Sequence, residues 1–393
     1  MNNLNKPTRM ERFDQNGRQV LHDDYTPVVK HHWYKYILAI LTVFTVVSGV
    51  FAASVTTTLK KSITKSYSSA NIIKTRNVNA VLKDKKPFSV LLMGTDTGGL
   101  NRTDKGRTDS IMVLTVNPDN KQVNLVSIPR DATISVIGHE DTFPQKMNAA
   151  YTFGSAATSI KEIEAYLNVP IDFYAVVNMG GLEKLIDQVG GVQVNAPLSF
   201  TYSQATAHDY GPDLYRFTEG QSSYDYSASG NPDDFKHFET MNGQAALAFS
   251  RMRYDDPQGD YGRQQRQRLI LEALVKKSSN VSTVLNTKFM NSIADNLKTD
   301  LTFDDLLTIG RYYSGARKNL VSDHLQGQGV MVDGVSYEVV PQSEKQRVTD
   351  KLRESLVLPK ATTGKTFGGD VAPDQVDPAF TAVADDVPSS AQQ

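Results

Sequence analysis

Charged residues that could handle a phosphate group and a divalent cation cluster in one part of the chain. Three apolar, β-branched runs occupy residues 89–93, 111–116 and 123–128, and each run has the length of a strand. Charged residues stand at the ends of these runs: Asp96, Arg107, Asp109, Arg130 and Asp131. Carboxylate oxygens suit hard cations such as Mg²⁺, and arginine forks match phosphate oxygens.

The segment between the second and third runs predicts an antiparallel hairpin, because residues 117–120 read Asn-Pro-Asp-Asn. A hairpin places the start of one strand beside the end of the next. We therefore expect Arg107, Asp109, Arg130 and Asp131 to converge at one sheet edge, with the first two on the same face. For any one of these residues, a surface salt bridge is the simpler interpretation. The whole set favours a metal and phosphate site.

A second basic set lies downstream of the first. Residues 247–254 are predicted to extend as a strand, which places Arg251 and Arg253 on one face. Asp260 can cap a helix over residues 261–277. These elements bring two more guanidinium groups near the start of a helix.

The predicted helix also directs polar side chains inward. Its stripe at helical spacing runs from Arg263 through Arg266 and Gln267 to the apolar Ile270. Because the apolar end of the stripe must face the core, the polar end faces inward as well. A buried guanidinium without a partner is costly. Arg263 therefore needs a bound anion or an internal carboxylate such as Asp260 or Asp131, and the motif context favours the anion.

These motifs resemble those of the LytR-CpsA-Psr family of Gram-positive cell-envelope proteins. That family shares a G-x-D…G-R-x-D-[ST]-[IM]…S-[IL]-P-R-D sequence, which residues 94–131 match. Further matches follow in the family's order at residues 146–151 (KMNAAY), 248–253 (AFSRMR) and 260–267 (DYGRQQRQ). The resemblance covers residues 87–280.

The resemblance implies a phosphotransferase that moves an anionic glycopolymer from an undecaprenyl-pyrophosphate carrier to peptidoglycan, forming a phosphodiester. The polymer is a teichoic acid or a capsular or secondary wall polysaccharide. By the family motif, Asp96 and Asp109 hold Mg²⁺, with Mn²⁺ as the alternative. A hydrolase that uses water at the same site and a non-enzymatic envelope regulator remain the alternatives.

The resemblance also implies roles for the remaining site residues. Five arginines are expected to grip the pyrophosphate: Arg107, Arg130, Arg251, Arg253 and Arg263. Gln267, Lys146 and Asp131 contribute to substrate binding, and Asp260 orients an arginine or assists the acceptor hydroxyl. Neither the general base nor the groove for the prenyl tail is assigned by the sequence.

Composition narrows the class of protein. The chain has 393 residues, of which 39% are hydrophobic, so it can bury one sizeable core with appendages. A formal net charge of −1 argues against a nucleic-acid partner. The absence of cysteine excludes a disulfide framework, thiol catalysis and cysteine-ligated zinc.

The N-terminal part predicts a membrane anchor. Residues 1–35 are polar and expected to be a disordered cytoplasmic tail, and residues 36–59 carry no charge and meet the length of a transmembrane helix. A cleaved signal peptide is the alternative. Six basic residues precede the span and eight follow it, so the positive-inside rule does not orient it. The resemblance implies a single-pass protein of the cell membrane with an extracellular C-terminal domain.

The remaining boundaries follow from composition and periodicity. Residues 60–86 are interpreted as a basic juxtamembrane stalk, residues 87–357 as the catalytic domain, and residues 358–393 as a disordered tail. The domain is predicted to be α/β, with a mixed, largely antiparallel central sheet flanked by helices on both faces. Residues 198–232 are expected to form a long irregular insertion, and residues 329–341 a hairpin around Asp-Gly.

Overall fold

The structure is a computed structural model. It describes residues 64, 66–95, 106–278, 296–313, 316 and 319–385. The predicted cytoplasmic tail and transmembrane span lie outside these residues. None of the helices in the described ranges combines the length and the apolar character needed to span a bilayer.

The strands are distributed over the whole of the described chain. In chain order they are β1 (Phe88–Thr95), β2 (Thr108–Asn117), β3 (Gln122–Ile128), β4 (Thr133–Ile134), β5 (Gln145–Lys146), β6 (Phe173–Asn178), β7 (Phe200–Ser203), β8 (Leu214–Phe217), β9 (Tyr224–Ser227), β10 (Lys236–Phe238), β11 (Leu297–Thr299), β12 (Asn319–His324), β13 (Gln328–Val332) and β14 (Val335–Val339).

The described α-helices lie between and after these strands. They are α1 (Val78–Lys83), α2 (Ala149–Leu167), α3 (Met179–Gln188), α4 (Gly243–Arg251), α5 (Asp260–Ser278), α6 (Phe303–Tyr312), α7 (Gln342–Ser355) and α8 (Pro378–Ala384).

A six-stranded mixed sheet occupies the centre, in the order β11-β6-β1-β2-β3-β12. The pairs β1–β2, β2–β3 and β6–β11 are antiparallel, and β1–β6 and β3–β12 are parallel. The predicted hairpin between β2 and β3 is confirmed. Its turn is held by Asn117, whose side-chain oxygen accepts hydrogen bonds from the amides of Asp119 (3.0 Å) and Asn120 (3.3 Å).

Helices cover both faces of this sheet, as predicted. On one face, Leu91 and Val113 share a core with Ile163 of α2 and Leu352 of α7. On the other face, Met112 belongs to a core to which α3, α4, α5 and α6 contribute. Successive strand residues point to opposite faces, so both faces of β1 and β2 are buried and their sequences are apolar throughout.

The prediction that residues 198–232 form an irregular insertion is wrong in part, because this segment contains the strands β7, β8 and β9. Strands β7 to β10 form a four-stranded antiparallel sheet. This sheet packs on α4, where the ring of Phe217 lies 5.2 Å from that of Phe249, centroid to centroid. Strands of three or four residues are too short for an alternating pattern to stand out in the sequence.

The domain begins earlier than predicted. Lys74 Nζ lies 2.6 Å from Asp300 Oδ2, and Arg76 Nε donates to Asp172 Oδ1 at 2.9 Å. Residues 66–86 are thus part of the domain and not a stalk. Two of the basic residues that suggested a solvated segment, Lys74 and Arg76, are paired with carboxylates of the domain that are almost fully buried.

The predicted disordered tail is wrong for residues 358–385, which pack on the domain. The buried ammonium group of Lys345 donates to three successive backbone carbonyls, those of residues 364–366. Phe367 and Phe380 then form a small core with the β13–β14 hairpin. Composition alone missed this order because the anchoring residue lies elsewhere, in α7.

Candidate active site

The end of β3 and the start of β2 meet at one edge of the sheet, as predicted. Arg130 Nη1 donates to Asp109 Oδ1 at 2.5 Å, and Arg130 Nε lies 3.5 Å from Asp131 Oδ2. Arg107 lies one residue before β2 and is exposed. The first half of the candidate set therefore centres on Arg130.

A β-bulge falls at Asp109. Gly94 pairs with Ser110 while Thr95 pairs with Thr108, so Asp109 is the extra residue in its strand. A bulge disrupts the ladder locally and re-aims the side chain of the extra residue. The alternation predicted for Arg107 and Asp109 therefore does not apply here.

The predicted strand at residues 247–254 is wrong. These residues are mostly helical: α4 begins after Asn242, whose side chain caps the amide of Ala245 at 2.8 Å, and it ends at Arg251. The run Ala-Ala-Leu-Ala-Phe favours a helix. Arg253 follows in the next turn, and its Nε lies 3.8 Å from Asp260 Oδ1. Arg253 therefore contacts the site from the turn after α4, and Arg251 is the last residue of that helix.

The first turn of α5 supplies the other half of the cluster. Arg263 and Gln267 are both buried, which confirms that they point inward. Asp260 Oδ1 lies 2.5 Å from Arg263 Nη2 and 3.4 Å from Arg130 Nε. Asp260 Oδ2 accepts a hydrogen bond from Gln264 at 3.0 Å. One carboxylate thus stands among three guanidinium groups.

Several polar atoms at this point are buried without a hydrogen bond within the described residues: Arg130 Nε, Asp260 Oδ1, Arg263 Nε, Arg263 Nη2, Gln264 Oε1 and Gln267 Oε1. The contact between Arg263 and Asp260 is close but lacks hydrogen-bond geometry. An internal carboxylate is therefore the neighbour of Arg263, yet it leaves donors of that guanidinium unsatisfied. Buried donors of this kind are expected to bind an anion.

The two central arginines differ electrostatically. Burial lowers the pKa of Arg130, but Asp260, Asp109 and Asp131 outweigh burial and raise that pKa above its ordinary value. Burial lowers the pKa of Arg263 below its ordinary value, because Asp260 compensates only in part. The nearby carboxylates thus stabilise the charged form of Arg130, whereas they offset only part of the cost of burying the charge of Arg263.

Lys146 enters the site from a short two-stranded ladder. Thr133 of β4 pairs with Lys146 of β5, and Lys146 Nζ lies 3.0 Å from Asp131 Oδ1. Burial alone raises the pKa of Asp131, but Arg130 and Lys146 hold that pKa below its ordinary value. The predicted substrate-binding residues Lys146 and Asp131 are therefore paired with each other.

An apolar cavity opens beside the charged cluster. It encloses about 650 Å³ of space, its mouth included, between the central sheet and helices α3, α4 and α5. Its lining includes Leu92, Met93, Gly94, Ser110, Met112, Ala175, Val177, Asn178, Leu182, Ser250 and Gln267. Ser110 follows Asp109, Ser250 precedes Arg251, and Gln267 lies one turn after Arg263. Residues that line the cavity are therefore close in sequence to the charged residues of the candidate site.

The predicted metal ligands are only partly within the described residues. Asp109 lies in the cluster, whereas Asp96 belongs to residues 96–105, outside the described part. No group of three or more His, Cys, Asp or Glu side chains is placed to hold a metal ion in the described part of the chain. Asp109 is a suitable oxygen donor, so one carboxylate of the predicted pair fits Mg²⁺.

Sequence reasoning missed an ion pair beneath the cluster. Arg266 is fully buried, donates to the backbone oxygens of Phe249 (3.0 Å) and Met252, and pairs with Asp256. A Cβ on Gly262 would lie 1.9 Å from the Asp256 carboxylate, so only glycine leaves room for it. The signal in the sequence was an arginine placed on the inward stripe of α5.

Comparison with known proteins gives consistent matches. The chain matches the LytR_cpsA_psr family over residues 50–354. It is 40% identical over 318 residues to the polyisoprenyl-teichoic acid–peptidoglycan teichoic acid transferase TagU of Enterococcus faecalis, covering 81% of this chain and 94% of that protein. The corresponding TagU of Bacillus subtilis is 35% identical over 308 residues, with 78% and 87% covered.

Solved structures share the fold. A crystal structure of a Streptococcus agalactiae protein aligns with a TM-score of 0.60 at 29% identity, covering 77% of this chain and 97% of that chain. A structure of TagT bound to LIIa-WTA aligns with a TM-score of 0.53 at 25% identity, covering 74% and 96%.

Proposed function

The chain belongs to the LytR_cpsA_psr family, and on that premise we propose that it transfers an anionic glycopolymer from a polyprenyl-pyrophosphate carrier to peptidoglycan. Teichoic acid is the polymer that the names of its relatives favour. The product is a phosphodiester between the polymer and a sugar hydroxyl of peptidoglycan.

The observation that carries this proposal is the position of the arginine cluster at the mouth of an apolar cavity. A polyprenyl pyrophosphate combines a long apolar chain with a compact multivalent anion. The cavity offers the apolar surface, and Arg130, Arg253 and Arg263 lie at the charged end, while Arg251 follows the cavity-lining Ser250 in the chain. The cavity is also the prenyl groove that sequence reasoning left unassigned.

The reaction requires little covalent chemistry from the protein. The acceptor hydroxyl attacks the phosphorus that carries the polymer and gives up its proton to solvent, the bond to the bridging oxygen breaks, and polyprenyl phosphate leaves with that oxygen. Charge builds on the leaving phosphate and on the transferred group, and the guanidinium groups stabilise it. Asp260 lies among Arg130, Arg253 and Arg263, so its role is to hold these cations and not to take the hydroxyl proton.

Asp109 and Asp96 are the residues that would hold Mg²⁺, with Mn²⁺ as the alternative. A bound divalent cation would neutralise pyrophosphate oxygens and polarise the reacting phosphorus. Arg130 holds Asp109 at the sheet edge, and a bound cation would take up this carboxylate in place of the guanidinium. The sequence of the family and the oxygen chemistry of the site support this proposal.

The test is transfer by the full-length protein in membranes, supplied with lipid-linked polymer and peptidoglycan. We expect polymer covalently attached through a phosphodiester, together with polyprenyl phosphate. Chelation of divalent ions and the Asp109→Asn variant should each abolish attachment, whereas the surface variant Asp225→Asn should not. Release of free polymer phosphate without attachment would identify a hydrolase instead. Attachment that persists in chelator would remove the metal from the mechanism.

For the location of the protein we propose a single-pass cell-membrane anchor at residues 36–59, with residues 1–35 in the cytoplasm and the catalytic domain outside. The uncharged apolar stretch and the extracellular nature of peptidoglycan support this. Protease added to intact protoplasts should remove the domain and spare the N-terminal tail. A domain that resists digestion under these conditions would overturn both the location and the acceptor.

A further inference from the structure

The β13–β14 hairpin forms hydrogen bonds with the segment that follows β3 and carries part of the candidate site. The backbone amide of Glu338 in β14 donates to the carbonyl oxygen of Asp131 at 2.9 Å. The Thr133 hydroxyl donates to the carbonyl oxygen of Glu338 at 3.0 Å. The backbone of Glu338 is therefore fixed beside one half of the charged cluster.

The side chain of Glu338 reaches the other half. Its Oε1 accepts hydrogen bonds from the Tyr261 hydroxyl and from the amide of Gly327 (3.1 Å). A Cβ on Gly327 would lie 2.5 Å from Glu338 Cγ, so the close approach needs glycine at that position. Tyr261 directly follows Asp260 in the first turn of α5. Glu338 thus connects the segment after β3 to the first turn of α5.

We infer that Glu338 is a positioning residue of the anion site, which holds the first turn of α5 through Tyr261 and so keeps Asp260 and Arg263 beside β3. This inference rests on the proposed function only in taking the site to bind a pyrophosphate. A tether is needed because Arg253 and Arg263 both approach the single carboxylate of Asp260, and the charge of Arg263 is compensated only in part before the ligand arrives.

The ionisation of Glu338 should make ligand binding depend on pH. Burial raises the pKa of Glu338 to about 7, with Asp260 and Asp131 contributing in the same direction against the hydrogen bonds from Tyr261 and Gly327. Two further titratable groups are nearby: Tyr166 interacts electrostatically with Glu338, and the ring of His324 contacts that of Tyr261. An anion bound by the arginines raises this pKa further. Binding should therefore take up a proton, and affinity should rise as the pH falls through about 7.

Two conservative variants separate the position of the group from its charge. Glu338→Gln keeps an oxygen acceptor for Tyr261 and Gly327 but removes the negative charge. Tyr261→Phe removes the tether and keeps the charge. The probe is inorganic pyrophosphate with Mg²⁺, measured by calorimetry at pH 6 and pH 8 in two buffers of different ionisation enthalpy.

Relative to the unaltered protein, Glu338→Gln should bind the probe equally at pH 6 and up to about tenfold more tightly at pH 8, with less proton uptake. Tyr261→Phe should weaken binding about tenfold at both pH values and lower kcat of transfer, because Asp260 and Arg263 lose their fixed position. The matched control is Glu354→Gln, at an exposed position of α7, which should change neither quantity.

If both variants lower only the melting temperature and leave affinity, proton uptake and kcat unchanged, Glu338 is merely structural and the inference is overturned. If the unaltered protein fails to bind the probe, the anion site itself is wrong and the inference falls with it. Binding with the expected pH signature but without polymer transfer supports the inference and refutes the proposed function.

Discussion

Replacing Arg263 by methionine is expected to lower polymer transfer by about 10²–10³-fold while leaving the free protein as stable as before, or more stable. Arg263 is buried among other cations, and its Nε and Nη2 make no hydrogen bond within the described residues. Burial holds its pKa below the ordinary value, which means that the fold disfavours its charged form. Methionine removes that unfavourable charge and also removes the donors for the pyrophosphate.

The measurement is a thermal melt of each variant with and without inorganic pyrophosphate and Mg²⁺, together with the transfer rate. Arg130→Met is the matched comparison, because the pKa of Arg130 is raised by three carboxylates and its loss leaves them uncompensated. That variant should therefore lose stability as well as activity. If Arg263→Met destabilises the free protein and retains full stabilisation by the ligand, Arg263 is structural and does not bind the anion.

Removing the carboxylate of Asp256 is expected to cost about 3–5 kcal/mol of unfolding free energy, because Asp256→Ala leaves the guanidinium of Arg266 buried and unpaired. Arg266 is fully buried and Asp256 nearly so. The pair joins the end of α4 to α5, so its loss should also displace Arg251, Arg253 and Arg263 and abolish transfer.

Chemical denaturation measures this cost, and a double variant tests its cause. Asp256→Leu combined with Arg266→Met should recover much of the lost stability, because no buried charge remains uncompensated. The exposed pair Arg216–Asp225 is the control, and Asp225→Ala should change stability by less than about 1 kcal/mol. An equal effect at both pairs would show that burial does not set the cost.

The sequence by itself determined the central hairpin and the residues gathered at its open end. The apolar runs of β2 and β3 and the Asn-Pro-Asp-Asn turn between them are local signals, and a hairpin has one way to bring its strand ends together. Asp109, Arg130 and Asp131 therefore meet as expected. The inward direction of Arg263 and Gln267 was equally local, because it follows from the helical stripe of α5.

Local patterns were insufficient where a segment's conformation depends on distant partners. Residues 358–385 have the composition of a disordered tail, yet the ammonium of Lys345 and a small aromatic core order them. Residues 247–254, which include the end of α4, were predicted to be a strand, since short apolar runs fit both. The aromatic strands β7 to β10 are too short to be recognised singly and become stable only as a sheet against α4.

Only the tertiary structure determined how the charged residues of the site contact one another and where they lie relative to the apolar cavity. The bulge at Asp109, the tether from Glu338 to Tyr261 and the pair between Asp256 and Arg266 each join residues from separate elements. No periodicity within one segment encodes such a contact, because it depends on how sheet and helices pack and on which glycines let carboxylates approach. The residue types present at the site were therefore readable in the chain, whereas their mutual compensation was set by packing.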